Sequence, residues 1–242
     1  MKVMAWNVQL GGEGRLETIA AVVRRQQPDA VALVEATASG TAALAGELES
    51  EFVLAESNHA YPRSYGLCVG WVLSCGVGWS DRPSLPALGK ALVGVEVEGV
   101  RLYATHLASR HEEEDHPREH EVAAIVDALP HGPHLLCGDF NALAEGDAVG
   151  LPPDGVDPRG DAVSGAPRDA LRLLRERGYV DCFRALHPND PGFTYSAAHP
   201  WLRLDYVFAS PELAPALKGA GVVADPLAAR SSDHLPVWAE FA

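Results

Sequence analysis

The sequence contains few cysteines and few basic residues, and each shortage argues against a class of protein. The four cysteines include no Cys-x-x-Cys pair, so we do not expect a structural zinc site. Their sparse spacing favours reduced, buried thiols over a disulfide framework. The 19 Lys and Arg residues against 33 Asp and Glu residues give a net charge of −14. This charge argues against a protein that coats nucleic acid or anionic membrane by bulk attraction.

Long hydrophobic runs, internal repeats and low-complexity linkers are also missing. No stretch reaches the length of a membrane span, and the first ten residues lack the apolar core and cleavage site of a secretory signal. We therefore expect a cytoplasmic protein with no membrane span and no obligate protein partner. The hydrophobic fraction of 47% and the charged fraction of 21% are ordinary for a globular protein, so a chain of 242 residues can fill a core.

The hydrophobic pattern predicts many strands and about four helices. Strands are predicted at residues 2–8, 29–34, 67–74, 91–97, 100–105, 134–137, 193–195, 204–208, 222–223 and 236–241. Helices are predicted from residue 16 to Pro28, at residues 41–48, from Pro117 onward and at residues 167–177. Residues 143–167 are rich in Gly, Pro and Asp, which predicts a long surface loop. Because no linker interrupts the chain, we expect one α+β domain over residues 1–242 with helices covering sheets.

Acidic, amide and histidine side chains recur where the predicted strands end. These candidates are Asn7, Glu35, His106, Asp139, Asn141, Asp205, Asp233 and His234. Each alone also suits a structural role, such as a cap, an Asx turn or a core histidine. Polar groups in apolar strands are costly unless they are paired or bind a metal, so their recurrence indicates that they converge on one pocket.

Hydrolysis of a phosphate ester needs a set of groups of this kind. Carboxylate and carboxamide oxygens suit a hard divalent cation such as Mg²⁺ or Mn²⁺. A second carboxylate can align and deprotonate the attacking water. A histidine can stabilise the charge that develops on the phosphate, and a further carboxylate can hold that histidine in its working tautomer.

Six ordered segments carry a resemblance to a known family. They are residues 4–8, 28–35, Thr-His-Leu at 105–107, Gly-Asp-Phe-Asn at 138–141, 203–208 and Ser-Asp-His-Leu-Pro-Val at 232–237. With these segments the sequence resembles the endonuclease/exonuclease/phosphatase superfamily, the deoxyribonuclease-I-like fold, over nearly its whole length. The resemblance implies a four-layer α/β/β/α sandwich, in which two packed mixed β-sheets lie between helices. It also implies that Glu35 is the principal metal ligand, with Asn7 beside it and Asp233 as a metal ligand or a support for one.

The same resemblance implies the catalytic roles. Asp139 would activate the water, and Asn141 would orient both the phosphate and Asp139. His106 would contact a phosphate oxygen. His234 would stabilise the pentacovalent state, with Asp205 as its hydrogen-bonding partner.

Around the pocket the sequence matches the family at some positions and departs from it at others. Thr194 and Tyr195 match a Thr-Tyr pair that borders the pocket in the family, and Trp201 is placed at its edge by its closeness to the strand that carries Asp205. Family members that repair abasic DNA usually carry a second acidic or amide residue and a basic, Gly-rich segment after the first Asn. In this sequence the residues that follow are Gln9, Gly11, Gly12 and Glu13. Cys75 stands where a family strand usually ends in Arg, which predicts the loss of a basic contact near the pocket. We see no counterpart of the carboxylate that orients the first histidine in the secreted nucleases. These departures argue against abasic-site repair.

The expected function is therefore a Mg²⁺- or Mn²⁺-dependent phosphodiesterase. A nuclease that cleaves DNA or RNA by in-line attack of water is the leading hypothesis. A phosphatase or phosphodiesterase for a small molecule, such as an inositol phosphate or a lipid headgroup, is the alternative. A non-catalytic binding module on the same fold is an alternative of another class. A basic, aromatic-lined groove would favour nucleic acid, and a closed pocket would favour the small substrate.

Overall fold

The architecture comes from a computed structural model, which describes residues 1–57, 67–109, 112, 116–154 and 168–242. The strands in this part of the chain are β1 (Lys2–Asn7), β2 (Ala30–Ala36), β3 (Glu51–Glu56), β4 (Cys68–Leu73), β5 (Ser80–Asp81), β6 (Leu92–Val97), β7 (Val100–His106), β8 (His134–Asp139), β9 (Val180–Asp181), β10 (Asp205–Ala209), β11 (Leu217–Val222) and β12 (Val237–Phe241). The helices in the same part are α1 (Leu16–Gln26), α2 (Ala38–Glu47), α3 (Arg118–Ala128), α4 (Arg172–Glu176), α5 (Cys182–Leu186) and α6 (Pro226–Ser231).

Two mixed sheets of six strands each are present among the described residues. The strand order is β11-β12-β1-β2-β4-β3 in the first sheet and β5-β6-β7-β8-β10-β9 in the second. Alternation along β1 explains how the first sheet packs, because successive side chains point to opposite faces. Val3 and Ala5 join a buried cluster with residues of the second sheet. Met4 and Trp6 instead join a cluster with Ile19 of α1.

The second sheet repeats this arrangement. Along β8, Leu135 and Cys137 face the first sheet, and Leu136 packs with Val122 and Ile125 of α3. Each such buried aliphatic side chain stabilises the fold by about 1.5–3 kcal/mol relative to exposure. The layers therefore run helices, sheet, sheet, helices, and the predicted α/β/β/α sandwich is confirmed. No helix in the described ranges is long and apolar enough to cross a membrane.

Strand direction brings several strand ends to one edge of the sandwich. β1 and β2 are parallel, with Asn7 beside Val34, and β7 and β8 are parallel, with His106 beside Asp139. β10 runs antiparallel to β8, and β12 runs antiparallel to β1. The carboxyl ends of β1, β2, β7 and β8 therefore lie at the same edge as the amino ends of β10 and β12.

Gly138 is required where β8 approaches β7. Its φ is +135°, a value that residues with a side chain rarely adopt. A Cβ at this position would lie 1.9 Å from the carbonyl oxygen of Thr105. The glycine therefore lets β8 pair closely with β7 just before the strand delivers Asp139.

Several predicted elements differ from the structure. Residues 193–195 form no strand, since Tyr195 makes only isolated bridges to Leu202 and His234. The described part contains six α-helices, two more than predicted. The sequence does not reveal α5 and α6, because these helices are too short to show a helical hydrophobic period. A helix is predicted at residues 167–177, and residue 167 lies outside the described residues. Helix α4 occupies only the later part of the predicted range. Residues 155–167 of the predicted loop also lie outside them.

The prediction of buried thiols holds for three of the four cysteines. Cys68, Cys137 and Cys182 are buried, but Cys75 is exposed. Cys75 follows β4, whose Leu73 pairs with Ala30, while Cys68 at the other end pairs with Ala36 beside Glu35. Cys75 thus lies at the end of the sheet remote from Glu35. The expectation that it replaces a basic contact near the pocket is wrong.

Candidate active site

The predicted site residues lie together at the shared edge of the two sheets. Glu35 reaches this edge through a local irregularity of β2. Its φ is 54°, and the pairing of β2 with β4 shifts register between Leu33 and Ala36. Such a bulge bends the strand and redirects a side chain. The carboxylate of Glu35 accepts hydrogen bonds from Asn7 Nδ2 at 3.2 Å and from the Leu10 amide at 3.1 Å.

Asn7 lies between the two principal carboxylates of the site. Its Nδ2 donates to Oε1 of Glu35 and, at 3.0 Å, to Oδ2 of Asp139. Its Oδ1 accepts the amide of Gln9 at 3.0 Å. These contacts fix the amide orientation and point its nitrogen, not its oxygen, at Glu35 and Asp139. The structure therefore places Asn7 as a bridge between the carboxylates.

Asp139 is buried at the centre of the site, with 1% of its surface exposed. The amide of Asn141 donates to its Oδ1 at 2.9 Å. Burial raises the pKa of Asp139 to about 7, with a contribution from the charge of Asp205, against the opposing effects of His234 and of hydrogen bonds from Asn141 and Asn7. A carboxylate with this pKa is suited to accept a proton near neutral pH.

His234 and Asp205 form a buried pair beside Asp139. His234 Nδ1 donates to Asp205 Oδ2 at 2.8 Å, and its Nε2 lies 3.8 Å from Asp139 Oδ2. Burial opposes the charge of the ring, but the carboxylates of Asp205, Asp139 and Asp233 outweigh it and raise the pKa of His234 to about 10. The raised pKa favours the imidazolium, whose Nε2–H can donate to a developing negative charge.

His106 has the opposite electrostatic character. Burial lowers its pKa well below the usual range, and the positive charges of Lys90 and His234 lower it further. Asn141 Nδ2 donates to Leu107 O at 3.2 Å and lies 3.1 Å from His106 Nε2. Nε2 therefore accepts from Asn141, and the ring is neutral. The structure brings together two histidines whose pKa values are shifted in opposite directions.

Asp233 lies next to this pair and is half-buried. Its Oδ1 lies 3.3 Å from Ser232 Oγ. Ser232 Oγ also donates to the Asn7 carbonyl at 2.6 Å and accepts the His234 amide at 3.3 Å. Sequence reasoning missed this serine as a connector, although its place in the Ser-Asp-His segment was a usable signal.

The three predicted border residues have different surroundings. Thr194 is fully buried, and its Oγ1 accepts the amides of Leu204 and Asp205, so it holds the start of β10. The ring of Tyr195 packs on that of His234, with 5.0 Å between centroids. Trp201 is 1% exposed and packs in a small apolar cluster, so its ring offers no face to a substrate.

Three basic residues near the site form hydrogen bonds or an ion pair within the protein. The sequence did not indicate these contacts. The Arg15 guanidinium donates to the carbonyls of Val8, Gln9 and Ser231. Arg118 donates to the Asn141 carbonyl, and Lys90 forms an ion pair with Glu112. Arg15 and Arg118 therefore brace segments that carry site residues, and the charge of Lys90 is paired with that of Glu112.

One group of acidic and histidine side chains in the described residues has ligand atoms close enough to hold a metal ion. Asp139, Asp205 and His234 each offer an atom within 4.8 Å of the others. The charged His234 ring already donates to Asp205, which favours proton chemistry over metal coordination at this trio. Glu35 is half-buried and offers carboxylate oxygen to a hard cation beside Asp139, so its chemistry fits Mg²⁺ or Mn²⁺ better.

The comparisons with known proteins identify the family. A sequence model of the endonuclease/exonuclease/phosphatase family matches residues 4–234. The chain belongs to this family. The activities in the family's name share one reaction class, the hydrolysis of a phosphate ester. A search of curated proteins finds no match.

Solved structures of this family share the fold over the whole chain. An AP endonuclease from Archaeoglobus fulgidus has a TM-score of 0.77 and 21% identity, covering 100% of this chain and 99% of its own. A 3′-5′ exonuclease from Neisseria meningitidis has a TM-score of 0.76 and 24% identity, with the same coverage. A Neisseria 3′ phosphatase bound to a product DNA hairpin has a TM-score of 0.75 and 23% identity, again covering 100% and 99%.

Proposed function

We propose that this family member is a Mg²⁺- or Mn²⁺-dependent phosphodiesterase, and that residues 1–242 form one catalytic domain. The arrangement around Asp139 Oδ2 supports the proposal most directly. This oxygen lies 3.0 Å from Asn7 Nδ2, 3.7 Å from His106 Nε2 and 3.8 Å from His234 Nε2. A buried carboxylate with a raised pKa, set between a neutral and a charged imidazole, is an arrangement for moving a proton during hydrolysis.

Each catalytic side chain has a separate role in the proposed hydrolysis. Asp139 aligns the attacking water and accepts its proton. The Nε2–H of His234 donates to a phosphate oxygen as negative charge develops there, and Asp205 keeps that ring charged and oriented. Asn141 orients Asp139 through its backbone N–H, and its side chain orients the phosphate.

Glu35 would hold the metal, with Asn7 and Asp233 beside it. A bound Mg²⁺ or Mn²⁺ offsets negative charge on the phosphate oxygens, which lowers the barrier to attack by water. The two hydrogen bonds to the Glu35 carboxylate hold it in place without neutralising it. Because Asn7 donates to both Glu35 and Asp139, it ties the metal-binding carboxylate to the base.

A nuclease that acts on DNA or RNA is the first substrate assignment. It is supported by the fold shared with the Neisseria and Archaeoglobus proteins described above. A small phosphodiester is the second candidate, and one observation favours it. Three cations near the site, Arg15, Lys90 and Arg118, are engaged by protein groups, so these three do not form a track for a phosphate backbone.

The test is a screen of the wild-type protein with Mg²⁺ or Mn²⁺ against single- and double-stranded DNA, RNA, bis-p-nitrophenyl phosphate and phosphomonoesters. The expected result is metal-dependent cleavage of diesters that chelation by EDTA abolishes. Calorimetry should show that Glu35→Gln weakens Mn²⁺ binding by about tenfold or more, since a charged ligand is lost. Absence of hydrolysis of every phosphate ester, with Mn²⁺ affinity unchanged in Glu35→Gln, would reject the proposal in favour of a non-catalytic module.

A further inference from the structure

The turn after β1 contains an exposed leucine next to the candidate metal ligand. Leu10 is 57% exposed. Of residues 9–12 it alone is exposed, since Gln9 is half-buried and both Gly11 and Gly12 are buried. The amide of Leu10 lies 3.1 Å from Oε2 of Glu35. Its Cα is therefore within about 5 Å of the carboxylate, because the N–Cα bond adds only about 1.5 Å.

The turn holds this leucine in an unfavourable backbone conformation. Gln9 and Leu10 both have φ of 51°, in the left-handed region where a bulky side chain is an outlier. Several contacts impose the conformation. Arg15 donates to the carbonyls of Val8 and Gln9 and to Gln9 Oε1, and the Gln9 amide donates to Asn7.

Neighbouring side chains fix the remaining residues of the turn. A Cβ at Gly11 would lie 2.6 Å from Thr37 Oγ1, and one at Gly12 would lie 2.6 Å from Ile19 Cδ1. The turn thus keeps its inner positions as glycine and presents a leucine to solvent at the outer one. Backbone strain of this kind persists where the surrounding structure imposes it, and it clusters at functional sites.

We propose that Leu10 is a specificity-determining residue that contacts an apolar ester arm of the phosphodiester substrate. This inference rests on the proposed function. In the proposed function the phosphate of the diester binds a metal held by Glu35. Because the Leu10 amide donates to that carboxylate, the Leu10 side chain borders the metal site, and one of the two ester arms can reach it. An aromatic or aliphatic arm there covers exposed leucine surface and gains affinity, whereas a methyl arm gains little. The favoured substrate class is a diester with an aryl, alkyl or unstacked-base group next to the scissile phosphate.

Diphenyl phosphate and dimethyl phosphate test this directly, since they share the charged centre and differ only in the apolar arms. Ligand-observed NMR titrations with Mg²⁺ measure both affinities without requiring turnover. We expect wild type to prefer diphenyl phosphate, and Leu10→Ala to weaken its binding about three- to tenfold while dimethyl phosphate changes less than about twofold. Leu186→Ala is the matched control, because Leu186 is also an exposed leucine, with 41% of its surface exposed at the end of α5. Helix α5 follows β9, which pairs with the end of β10 opposite to Asp205.

Leu10→Gly separates substrate contact from a structural role. Glycine tolerates a φ of 51°, so this variant should unfold at a temperature no lower than that of wild type, yet it should lose the same preference for diphenyl phosphate. The inference is overturned if Leu10→Ala and Leu10→Gly bind diphenyl phosphate like wild type, if they weaken both ligands equally, or if wild type binds neither. A phosphodiesterase that cleaves bis-p-nitrophenyl phosphate and shows unchanged selectivity in these variants would contradict the role of Leu10 alone and leave the proposed function standing.

Discussion

His234 donates its Nδ1–H to Oδ2 of Asp205 at 2.8 Å, and both residues are buried, with 5% and 2% of their surfaces exposed. The opposite ring nitrogen lies 3.8 Å from Asp139 Oδ2. The ring is thus held between two carboxylates, one bonded directly and one at longer range. This geometry explains why the ring stays charged although burial alone would favour the neutral form.

Asp205→Asn should lower the pKa of His234 from about 10 toward the ordinary histidine range, because the bonded negative charge is removed. Diester hydrolysis at pH 8 should fall by about 10²-fold or more. NMR titration of the His234 ring in metal-free protein, together with steady-state rates, measures both effects. Asp127→Asn is the control, since that carboxylate is 68% exposed on α3 and should leave both quantities unchanged. A His234 ring that still titrates near 10 in Asp205→Asn would contradict this account.

The buried ion pair of Lys90 and Glu112 predicts acid sensitivity of the fold. Their side chains are 6% and 7% exposed, and the two charged atoms are 2.5 Å apart. Burial raises the pKa of Glu112, but the hydrogen bonds and charge of Lys90, with the Ser109 amide, outweigh it and lower the pKa overall. Ionised Glu112 therefore stabilises the fold above its ordinary pKa of 4.5, and this stabilisation is lost as the pH falls through the lowered value.

Glu112→Gln should accordingly lower the free energy of unfolding at pH 7 by about 3–5 kcal/mol, because Lys90 loses its carboxylate. Urea denaturation at pH 7 and pH 4 measures the effect, and the difference between wild type and variant should shrink at pH 4. Replacing both residues together, Lys90→Met with Glu112→Leu, should restore much of the stability. An equal difference at both pH values would rule out the ion pair as its source.

Asp147 is a second buried carboxylate, and its partners are outside the set of catalytic side chains. Its carboxylate accepts from Arg203 Nε at 3.1 Å, from Arg203 Nη2 at 2.7 Å and from the Tyr206 hydroxyl at 2.8 Å. Arg203 is 1% exposed, and within the described residues its Nη1 has no hydrogen-bond partner. The carboxylate of Asp147 therefore supplies much of the compensation for a buried guanidinium.

Asp147→Asn should destabilise the fold by about 3–5 kcal/mol. The rate per folded molecule should change by less than about threefold, since the side chains described as bonded to Asp147 are not catalytic groups. Chemical denaturation and active-site-normalised rates measure the two effects. Glu145→Gln is the matched control, because its ion pair with Arg175 is more than half exposed and should contribute less than about 1 kcal/mol. Loss of activity in Asp147→Asn at full stability would contradict a purely structural role.

The strand pattern and the ordered segments were enough to predict which polar side chains meet. Strand alternation and the parallel pairing of neighbours bring Asn7, His106 and Asp139 to one edge, as the sequence predicted. The bulge that redirects Glu35 was not predictable, because it arises from the pairing of β2 with β4 and not from local sequence.

Long-range contacts account for the remaining differences. Residues 143–167 look like a surface loop because they are rich in Gly, Pro and Asp, yet Asp147 is buried by Arg203, a partner 56 positions away. Trp201 was expected at the edge of the pocket, but the apolar cluster with Leu143 and Leu204 encloses it. In both cases a distant partner, which no local pattern contains, decides the burial.

The central claim is that Asp139 is the base of a metal-dependent phosphodiesterase. The most direct measurement is kcat/KM for bis-p-nitrophenyl phosphate with saturating Mn²⁺, in wild type, Asp139→Asn and the control Asp127→Asn. The account predicts a loss of about 10²- to 10⁴-fold in Asp139→Asn, since an amide cannot accept the proton of the water, and wild-type rates in Asp127→Asn. Equal activity in wild type and Asp139→Asn would contradict it.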